Sequence, residues 1–209
     1  NMQWILVLNH LDLYIGIYKR CQKKWLKMFN IFSDYLHTDL FSLDIKKIKK
    51  ETLYVKSKDK GRTVSNYGGW QSQELVTINK NFKSLFNNIN ASVKKVEKYL
   101  NLKKELSLLN YWCNINYFGS FNRPHAHEGT TLSGVYYIDV HKNSGNIIFM
   151  NRNLNPYYKK INSYNEYNSS TWKIEPKKNL CVLFPSYLNH YVEPNLNKKE
   201  RISISFNYV

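Results

Sequence analysis

Apolar residues follow a helical period over one long segment in the first half of the chain. From about Asn79 to Leu106 they recur every three or four residues and form a continuous stripe, made of Phe82, Leu85, Phe86, Ile89, Val93, Val96 and Leu100. Such a stripe is the buried face of an amphipathic helix. The pattern therefore predicts a helix over 79–106 whose stripe belongs to the core and not to a functional site.

The residues before this helix are less regular. A shorter helix is predicted over 23–36, because apolar side chains lie at helical spacing at Trp25, Met28, Phe29, Phe32 and Leu36. Residues 56–75 are polar and rich in glycine, so they are predicted to form a loop.

After Leu109 the period changes from 3.6 to 2, which is typical of strands. Five segments show it, at 111–118, 132–140, 145–151, 180–184 and 201–208. Helices followed by a run of strands favour a mostly β fold with buttressing helices, as an antiparallel barrel or sandwich. The asparagine-rich connection at 151–179 is of the kind that often lies over a site. With no repeat or linker, one domain is predicted over 1–209, its helical or mixed support at 1–109 and its core strands at 110–209.

Composition narrows the classes of protein. The chain has 209 residues, of which 43% are hydrophobic, so a packed core is expected and global disorder is not. The formal net charge of +16 could reflect an acidic partner such as nucleic acid. The lysines lie in scattered pairs, however, which favours a compositional origin. The charge therefore does not define a partner.

Cysteine usage and hydropathy point to the cytoplasm. Cys21, Cys113 and Cys181 form no CxxC pair and leave one thiol over, which suits a reducing compartment. The apolar segment at 4–18 is interrupted by polar residues and falls short of a membrane-spanning helix. No cleavage site follows it, so no signal peptide is predicted.

The stretch FNRPHAHEGTTLSGVYYI, at 121–138, places two histidines one residue apart. Side chains alternate along a strand, so His125 and His127 point to the same side. At ~3.3 Å per residue their Cβ atoms are about 6.6 Å apart, close enough for both rings to converge on one metal ion. His190, in FPSYLNHYVEP, is the candidate third ligand.

Two predicted strands carry a polar face. RISISFNY alternates apolar residues with polar ones that include Arg201 and Ser203, and such a face either contacts solvent or lines a polar cavity. Asn114 and Asn116 share one face of YWCNINYF. If that face lines the barrel, their amides can hydrogen-bond a cofactor or a substrate.

The order of these motifs resembles that of Fe(II)- and 2-oxoglutarate-dependent oxygenases. The chain is most similar to the 2OG-Fe(II) oxygenases of phage and marine bacteria, and more distantly to prolyl hydroxylases. The similarity covers roughly 65–209 and is carried by FNRPHAHEGTTLSGVYYI, SGNIIF, LFPSYLNHYVEP and ERISISFN, with SNYGGWQS at 65–72. It implies a double-stranded β-helix (jelly-roll) fold.

The resemblance also implies the metal ligands. The family holds Fe(II) with a His-x-Asp/Glu pair and a distal His, which carries over to His125, His127 and His190 as the catalytic metal set. His127 departs from the pattern, because it stands where the family has a carboxylate. Glu128 is one residue away and points the wrong way in a regular strand, although a bulge could turn it inward. A set that includes Glu128, and a site without metal, stay open as alternatives.

A second part of the resemblance concerns the cosubstrate. The family binds the far carboxylate of 2-oxoglutarate with an Arg, often in Arg-x-Ser, which here implies Arg201 and Ser203. A guanidinium suits that role because its planar fork meets a carboxylate through two hydrogen bonds. Asn114 and Asn116 are the further candidate cofactor contacts.

The function implied is a 2-oxoglutarate-dependent dioxygenase, a hydroxylase that uses O₂ on an unidentified substrate in the cytoplasm (the host cytoplasm if the chain is viral). Two alternatives fit the residues. A cupin-like enzyme would hold a metal with three histidines and use no 2-oxoglutarate, which leaves Arg201 no cosubstrate to hold. A basic, non-enzymatic binding module would bind its partner without the histidines and lose affinity steeply with salt. The sequence indicates neither the substrate nor the oligomeric state.

Overall fold

The computed structural model describes residues 34–152 and 162–209, which fall in one compact unit, Asp34–Val209. The helix predicted over 23–36 lies outside these residues except for 34–36, which are not helical. The prediction of one domain over the whole chain stays a prediction.

Two helices occur in the described residues, α1 (Ile45–Lys58) and α2 (Lys83–Leu100). Helix α1 was not predicted; it begins after Asp44, whose carboxylate accepts a hydrogen bond from the Lys46 N–H at 3.0 Å. Helix α2 confirms the helix predicted over 79–106, with shorter bounds. It ends where Asn101 adopts a left-handed conformation, φ 52°, which asparagine tolerates. Neither helix is long and apolar enough to cross a membrane.

The described residues form eleven strands. They are β1 (His37–Leu40), β2 (Asn66–Tyr67), β3 (Trp70–Gln71), β4 (Leu108–Asn116), β5 (Phe121–His125), β6 (Leu132–Asp139), β7 (Ile147–Met150), β8 (Thr171–Ile174), β9 (Leu180–Pro185), β10 (His190–Val192) and β11 (Arg201–Tyr208). Strands β4, β6, β7, β9 and β11 confirm the five predicted segments. The loop predicted over 56–75 instead holds the end of α1 with β2 and β3, and the connection at 151–179 contains β8.

These strands make two antiparallel sheets. The larger has the order β1-β9-β6-β11-β4-β3, and the smaller has the order β2-β5-β10-β7-β8. The prediction of a mostly β fold with buttressing helices is confirmed.

The larger sheet is buried on both faces. Toward the helices it packs Ile202, Ile204 and Phe206 of β11 against the apolar stripe of α2, where Phe86 and Ile89 are almost fully buried. Each apolar side chain buried in this way stabilises the fold by about 1.5–3 kcal/mol. The polar residues of β11 therefore face the other way, toward the smaller sheet.

A second apolar cluster joins the two sheets. It contains Tyr137 of β6, Phe149 of β7 and Phe184 of β9. Tyr136, next in the chain, lies in the helix-facing core and donates a hydrogen bond from its hydroxyl to Asn179. The alternation along β6 thus directs Tyr137, and not Tyr136, toward the space between the sheets.

Candidate metal centre

Three histidines meet where the smaller sheet faces the larger one. His125 ends β5 and lies directly opposite His190, which begins the neighbouring strand β10. His127 follows β5, where its backbone N–H donates to the Ser186 carbonyl at 2.9 Å. One ring nitrogen from each of the three lies within 4.8 Å of the others. The structure thus brings the three predicted ligands together.

Backbone carbonyls orient two of the rings. His125 Nδ1 lies 2.7 Å from the Arg123 carbonyl oxygen, and His190 Nδ1 lies 2.9 Å from that of Leu188. A carbonyl only accepts hydrogen bonds, so in both rings Nδ1 carries the proton and donates. The Nε2 lone pair of each ring is then free to bind a metal, the arrangement that commonly fixes a ligating histidine.

Burial keeps the cluster neutral. The Trp112 ring stacks on His127 with 5.7 Å between ring centroids, and the Phe184 ring meets His190 edge-on at 4.7 Å. Burial lowers the pKa of all three histidines, to about 4 for His127 and about 3 for His190, and the neighbouring imidazoles contribute to both values. At neutral pH the rings are therefore in the uncharged form that coordinates metals.

No carboxylate from the part of the chain that the structure describes belongs to the cluster. Among the described residues it is the one group of three or more metal-ligating side chains whose ligand atoms converge, and Glu128 is exposed to solvent outside it. Three neutral imidazoles suit iron, zinc, copper or nickel, so the donor set fits Fe(II) without selecting it.

Arg201 is the most notable charged group near the histidines. It is 1% exposed, and its Nη1 donates to the backbone carbonyls of Ser144, Gly145 and Glu193. Burial lowers its pKa, which the nearby Tyr137 and Glu193 oppose, but guanidinium remains protonated at neutral pH. No carboxylate of the described residues forms an ion pair with it. Such a buried charge favours a bound anion as its partner.

The other predicted cofactor contacts lie beside Arg201. In the pairing of β11 with β4, Arg201 is opposite Asn116 and Ser203 is opposite Asn114. The Asn114 amide donates to the Ser205 hydroxyl at 3.0 Å. Within the described residues, the Ser203 hydroxyl and the Asn116 amide make no side-chain hydrogen bond, so both are available to a ligand.

All seven predicted site residues line one cavity: His125, His127, His190, Arg201, Ser203, Asn114 and Asn116. Its wall also includes Trp112, Tyr137, Phe184 and Ser205, which were not predicted. Period-two alternation could have added two of them, because Trp112 shares a face with Asn114, and Ser205 with Ser203. For Phe184 the sequence holds no such signal.

Solved structures of 2-oxoglutarate oxygenases share this fold. A prolyl-4-hydroxylase from Pseudomonas putida matches 83% of this chain and 91% of its own with a TM-score of 0.60 at 13% identity. The epimerase SnoN of nogalamycin biosynthesis matches 84% and 78% with a TM-score of 0.64 at 14% identity. A viral collagen prolyl hydroxylase from Paramecium Bursaria Chlorella virus-1 matches 83% and 95% with a TM-score of 0.51 at 15% identity. The protein is thus a double-stranded β-helix protein with a cluster of three histidines.

A comparison of the sequence with protein families narrows the classification further. Residues 110–207 match the profile of a family described as "Putative 2OG-Fe(II) oxygenase". Over these residues the chain is similar to the 2OG-Fe(II) oxygenase family, as its motifs predicted. Fe(II) and 2-oxoglutarate are the cofactors of that family, and the three-histidine cluster is a set that can hold the metal. No sequence among the curated proteins matches the chain.

Proposed function

We propose that this protein is an Fe(II)- and 2-oxoglutarate-dependent dioxygenase that hydroxylates its substrate. His125, His127 and His190 would hold the iron, and Arg201 with Ser203 would bind the far carboxylate of 2-oxoglutarate. One observation carries the proposal: the three neutral imidazoles line the same cavity as a buried guanidinium that has no ionic partner among the described residues.

With iron, 2-oxoglutarate and O₂ bound, the chemistry supplied is oxidative decarboxylation to succinate and CO₂, coupled to oxidation of a substrate C–H bond. The chain's own residues position and protect these reactants. Arg201 offers a fork of donors that a carboxylate meets with two charge-assisted hydrogen bonds. The Ser203 hydroxyl and the Asn116 amide can donate to the same molecule. Trp112 and Phe184 cover the histidines with apolar surface, which excludes water from the reacting centre.

Hydroxylation is the finer part of the proposal. The structures with this fold include hydroxylases and an epimerase, so the fold alone does not choose the reaction. We propose hydroxylation because the motifs resemble those of a family in which it is the usual outcome. A product that gains one labelled oxygen atom from ¹⁸O₂ supports it, and an isomer of the substrate with no added oxygen contradicts it.

The cosubstrate is tested by succinate release without added substrate. The full chain with Fe(II), ascorbate and 2-oxoglutarate is expected to form succinate slowly in air and none under anaerobic conditions. Arg201→Ala should raise the KM for 2-oxoglutarate by about 10-fold or more, since one charge-assisted hydrogen bond contributes about 1.5–3 kcal/mol. The KM of Arg201→Lys should fall between those of the unchanged protein and Arg201→Ala, because the lysine ammonium keeps the positive charge but lacks the planar pair of donors.

Arg152→Ala is the matched control, since Arg152 is exposed and lies over the Tyr187 ring, 4.8 Å from its centroid. Its KM should equal that of the unchanged protein. An Arg201→Ala protein that loses iron in proportion to its loss of 2-oxoglutarate affinity would remove Arg201 from the anchor role.

A metal enzyme that uses no 2-oxoglutarate is the second candidate, and it is favoured because no carboxylate of the described residues joins the cluster. It predicts that the protein binds one metal ion and that 2-oxoglutarate does not bind the loaded site. Calorimetric titration of 2-oxoglutarate into Mn(II)-loaded protein separates the two functions, because the oxygenase requires a saturable signal.

A further inference from the structure

A surface groove opens beside the cavity. His125, His127 and Trp112 line both, so a molecule in the groove would contact two of the three histidines from the solvent side. The rest of the groove is formed by both apolar and charged side chains, which include Arg62, Val64, Glu74, Arg123 and Pro124. The groove is thus the approach to the reacting centre on this side of the protein.

The cations of the cavity and the groove are all arginines. The chain has 26 lysines and five arginines. Of the four arginines in the described residues, Arg201 lines the cavity and Arg62 and Arg123 line the groove, and no described lysine lines either. Lysine is a hydrated point charge, whereas the arginine fork matches a carboxylate or a phosphate in geometry. In a chain so rich in lysine, the presence of arginines and not lysines at both places indicates recognition of oxyanions.

Within the groove, one arginine is already paired. Arg62 Nη1 lies 2.8 Å from a Glu74 carboxylate oxygen, and its guanidinium lies over the Trp112 ring at 5.9 Å from the centroid. The other Glu74 oxygen accepts from the Asn110 amide at 2.7 Å. Because Glu74 is the one acidic side chain among the described residues of the groove and is paired with Arg62, these two contribute no net charge. They form a wall.

Hydrogen bonds hold that wall in position. The Asn207 amide donates to Asn110 at 3.0 Å, and the Ser133 hydroxyl donates to Asn207 at 2.7 Å. The Ser133 hydroxyl also lies 2.8 Å from that of Ser186, whose carbonyl binds the backbone of the histidine after β5. The groove wall and the metal centre therefore belong to one continuous network, which orders the wall before a ligand binds.

Arg123 supplies the remaining charge. It lies two residues before His125, its side chain is exposed, and its guanidinium makes no hydrogen bond or ion pair with the described residues. Among the described residues that line the groove, Arg62 and Glu74 are paired, so one side-chain charge is left without a partner, the positive charge of Arg123. An anionic group is the complementary ligand.

We propose that the groove binds the substrate through an oxyanion, a carboxylate or a phosphate, which Arg123 holds while the Trp112 wall contacts the rest of the molecule. This rests on the proposed function, because it takes the three-histidine cluster as the reacting centre. The substrate class is thus an anionic molecule whose charged group is held beside, and not at, the metal.

The five arginine Nε–H signals of the ¹⁵N-labelled full chain provide the test. The protein is loaded with Zn(II), which is diamagnetic, and saturated with 2-oxoglutarate, and inorganic phosphate and acetate are then titrated separately. The Arg123 signal should shift saturably, with a Kd on the order of 1 mM. The exposed Arg152, whose guanidinium faces Tyr187, is the internal control, and its signal should shift only weakly and linearly. Arg123→Lys and Arg152→Lys assign the two signals.

The indole N–H signal of Trp112 gives a second readout. It should follow the phosphate or acetate titration in the unchanged protein and stop responding in Arg123→Gln. The anion with the lower Kd identifies the charged group of the substrate, a phosphate if it is phosphate and a carboxylate if it is acetate. Equal, linear shifts of Arg123 and Arg152 would mean ionic screening alone and overturn the inference.

Failure of the proposed function has a different signature. Addition of 2-oxoglutarate should shift the Arg201 signal before any other anion is added. If Arg201 does not respond, the cosubstrate assignment fails whatever Arg123 does. If Arg201 responds and Arg123 does not saturate, the oxygenase proposal stands and the groove does not bind an oxyanion.

Discussion

Gly145 controls where the Arg201 guanidinium lies. It adopts φ +88°, a conformation that residues with a side chain rarely take, and its carbonyl accepts from Arg201 Nη1. A Cβ atom at this position would overlap the Glu193 backbone carbonyl and come within 2.7 Å of Nη1. Because the overlap involves backbone, it cannot be relieved by turning a side chain. The glycine therefore allows three carbonyls to converge on one side of the guanidinium.

Gly145→Ala is expected to displace Arg201 and to weaken 2-oxoglutarate binding by about 10-fold or more, roughly 1.4 kcal/mol. Metal affinity should change little, because no hydrogen bond or ring contact joins His125, His127 or His190 to Gly145. Calorimetric titration of 2-oxoglutarate into Mn(II)-loaded protein measures the first quantity, and titration of the metal measures the second.

Gly119→Ala is the matched control. Gly119 has a similar backbone conformation, φ +79°, but a Cβ added there would meet no atom within 4 Å. It carries the same backbone strain without the overlap. An equal loss of 2-oxoglutarate affinity in both variants would attribute the effect to general destabilisation and not to the position of Arg201.

At the residue scale, the sequence predicts the metal-ligand candidates better than it predicts the other side chains that line the cavity. His125 and His127 were recognisable from their spacing of two residues, which puts side chains on one side of a strand, although β5 ends at His125 and His127 follows it. Which way Arg201 faced was undetermined until the sheet was formed, since a solvent face and a cavity face have the same alternation. Phe184 reaches the site through the packing of one sheet on the other, which no local pattern reports.

Among the elements, the edge strand β1 is attached to α2 by one carboxylate. Asp39 accepts hydrogen bonds from Ser92 at 2.6 Å and from Lys95 at 2.8 Å, both on α2, and from His37 at 2.9 Å. Burial acts to raise its pKa, but these bonds, above all that from Lys95, bring the pKa down to about 2 from an ordinary 3.8. The lowered pKa makes this attachment depend on pH.

Asp39→Asn is expected to reduce the free energy of unfolding by about 1 kcal/mol at pH 7, a value discounted because Lys95 is largely exposed. A carboxyl with a lowered folded-state pKa stabilises above its unfolded-state pKa and loses that effect as the pH falls through the folded value. The difference between the two proteins should therefore shrink between about pH 4 and pH 2. Urea unfolding at several pH values measures it.

Glu105→Gln removes an exposed carboxylate, 3.8 Å from Lys94, and should leave the unfolding free energy unchanged. A constant difference between Asp39→Asn and the unchanged protein down to pH 2 would mean that the charge of Asp39 does not stabilise β1.

The elements that sequence analysis missed are short or polar. The five longer strands were evident because both their alternation and their apolar content are strong. Strand β5 contains Pro124 and three polar residues, and β10 has three residues, so pairing with each other and not propensity defines them. Helix α1 is lysine-rich with few apolar positions, and it is held by contacts such as that between Lys49 and Asp139 at 2.5 Å.

At the scale of the whole molecule, the alkylation rates of two buried thiols can report global unfolding. Cys113 and Cys181 are free and almost fully buried in the core between the larger sheet and the helices. Burial raises the pKa of Cys113 to about 12 and raises that of Cys181 as well, so neither is reactive in the folded state. Both should be alkylated only when the fold opens.

Metal binding at the distant histidines is expected to slow both alkylation rates by the same factor. A ligand that binds only the folded state stabilises it by about 2.7 kcal/mol at 100 times its Kd, which corresponds to about 100-fold slower labelling. Peptide mass spectrometry of the iodoacetamide-treated protein, with and without Mn(II), measures the rates for Cys113 and Cys181 separately.

His190→Ala should abolish the effect of Mn(II). His141→Ala should preserve it, because His141 lies near Asp139 and outside the cluster. Labelling that Mn(II) leaves unchanged in the unmodified protein would show either that the thiols react through local openings or that the histidines do not hold the ion, and metal content by elemental analysis separates these two outcomes.

The two-sided burial of β11 restricts how the chain can change length. Deleting or inserting one residue inside 201–208 would exchange its apolar and polar sides, turning Arg201 and Ser203 toward α2 and the isoleucines toward the cavity. Core packing and anion binding would be lost in the same event. A change of length at 198–200, before β11 begins, would leave the alternation of β11 intact.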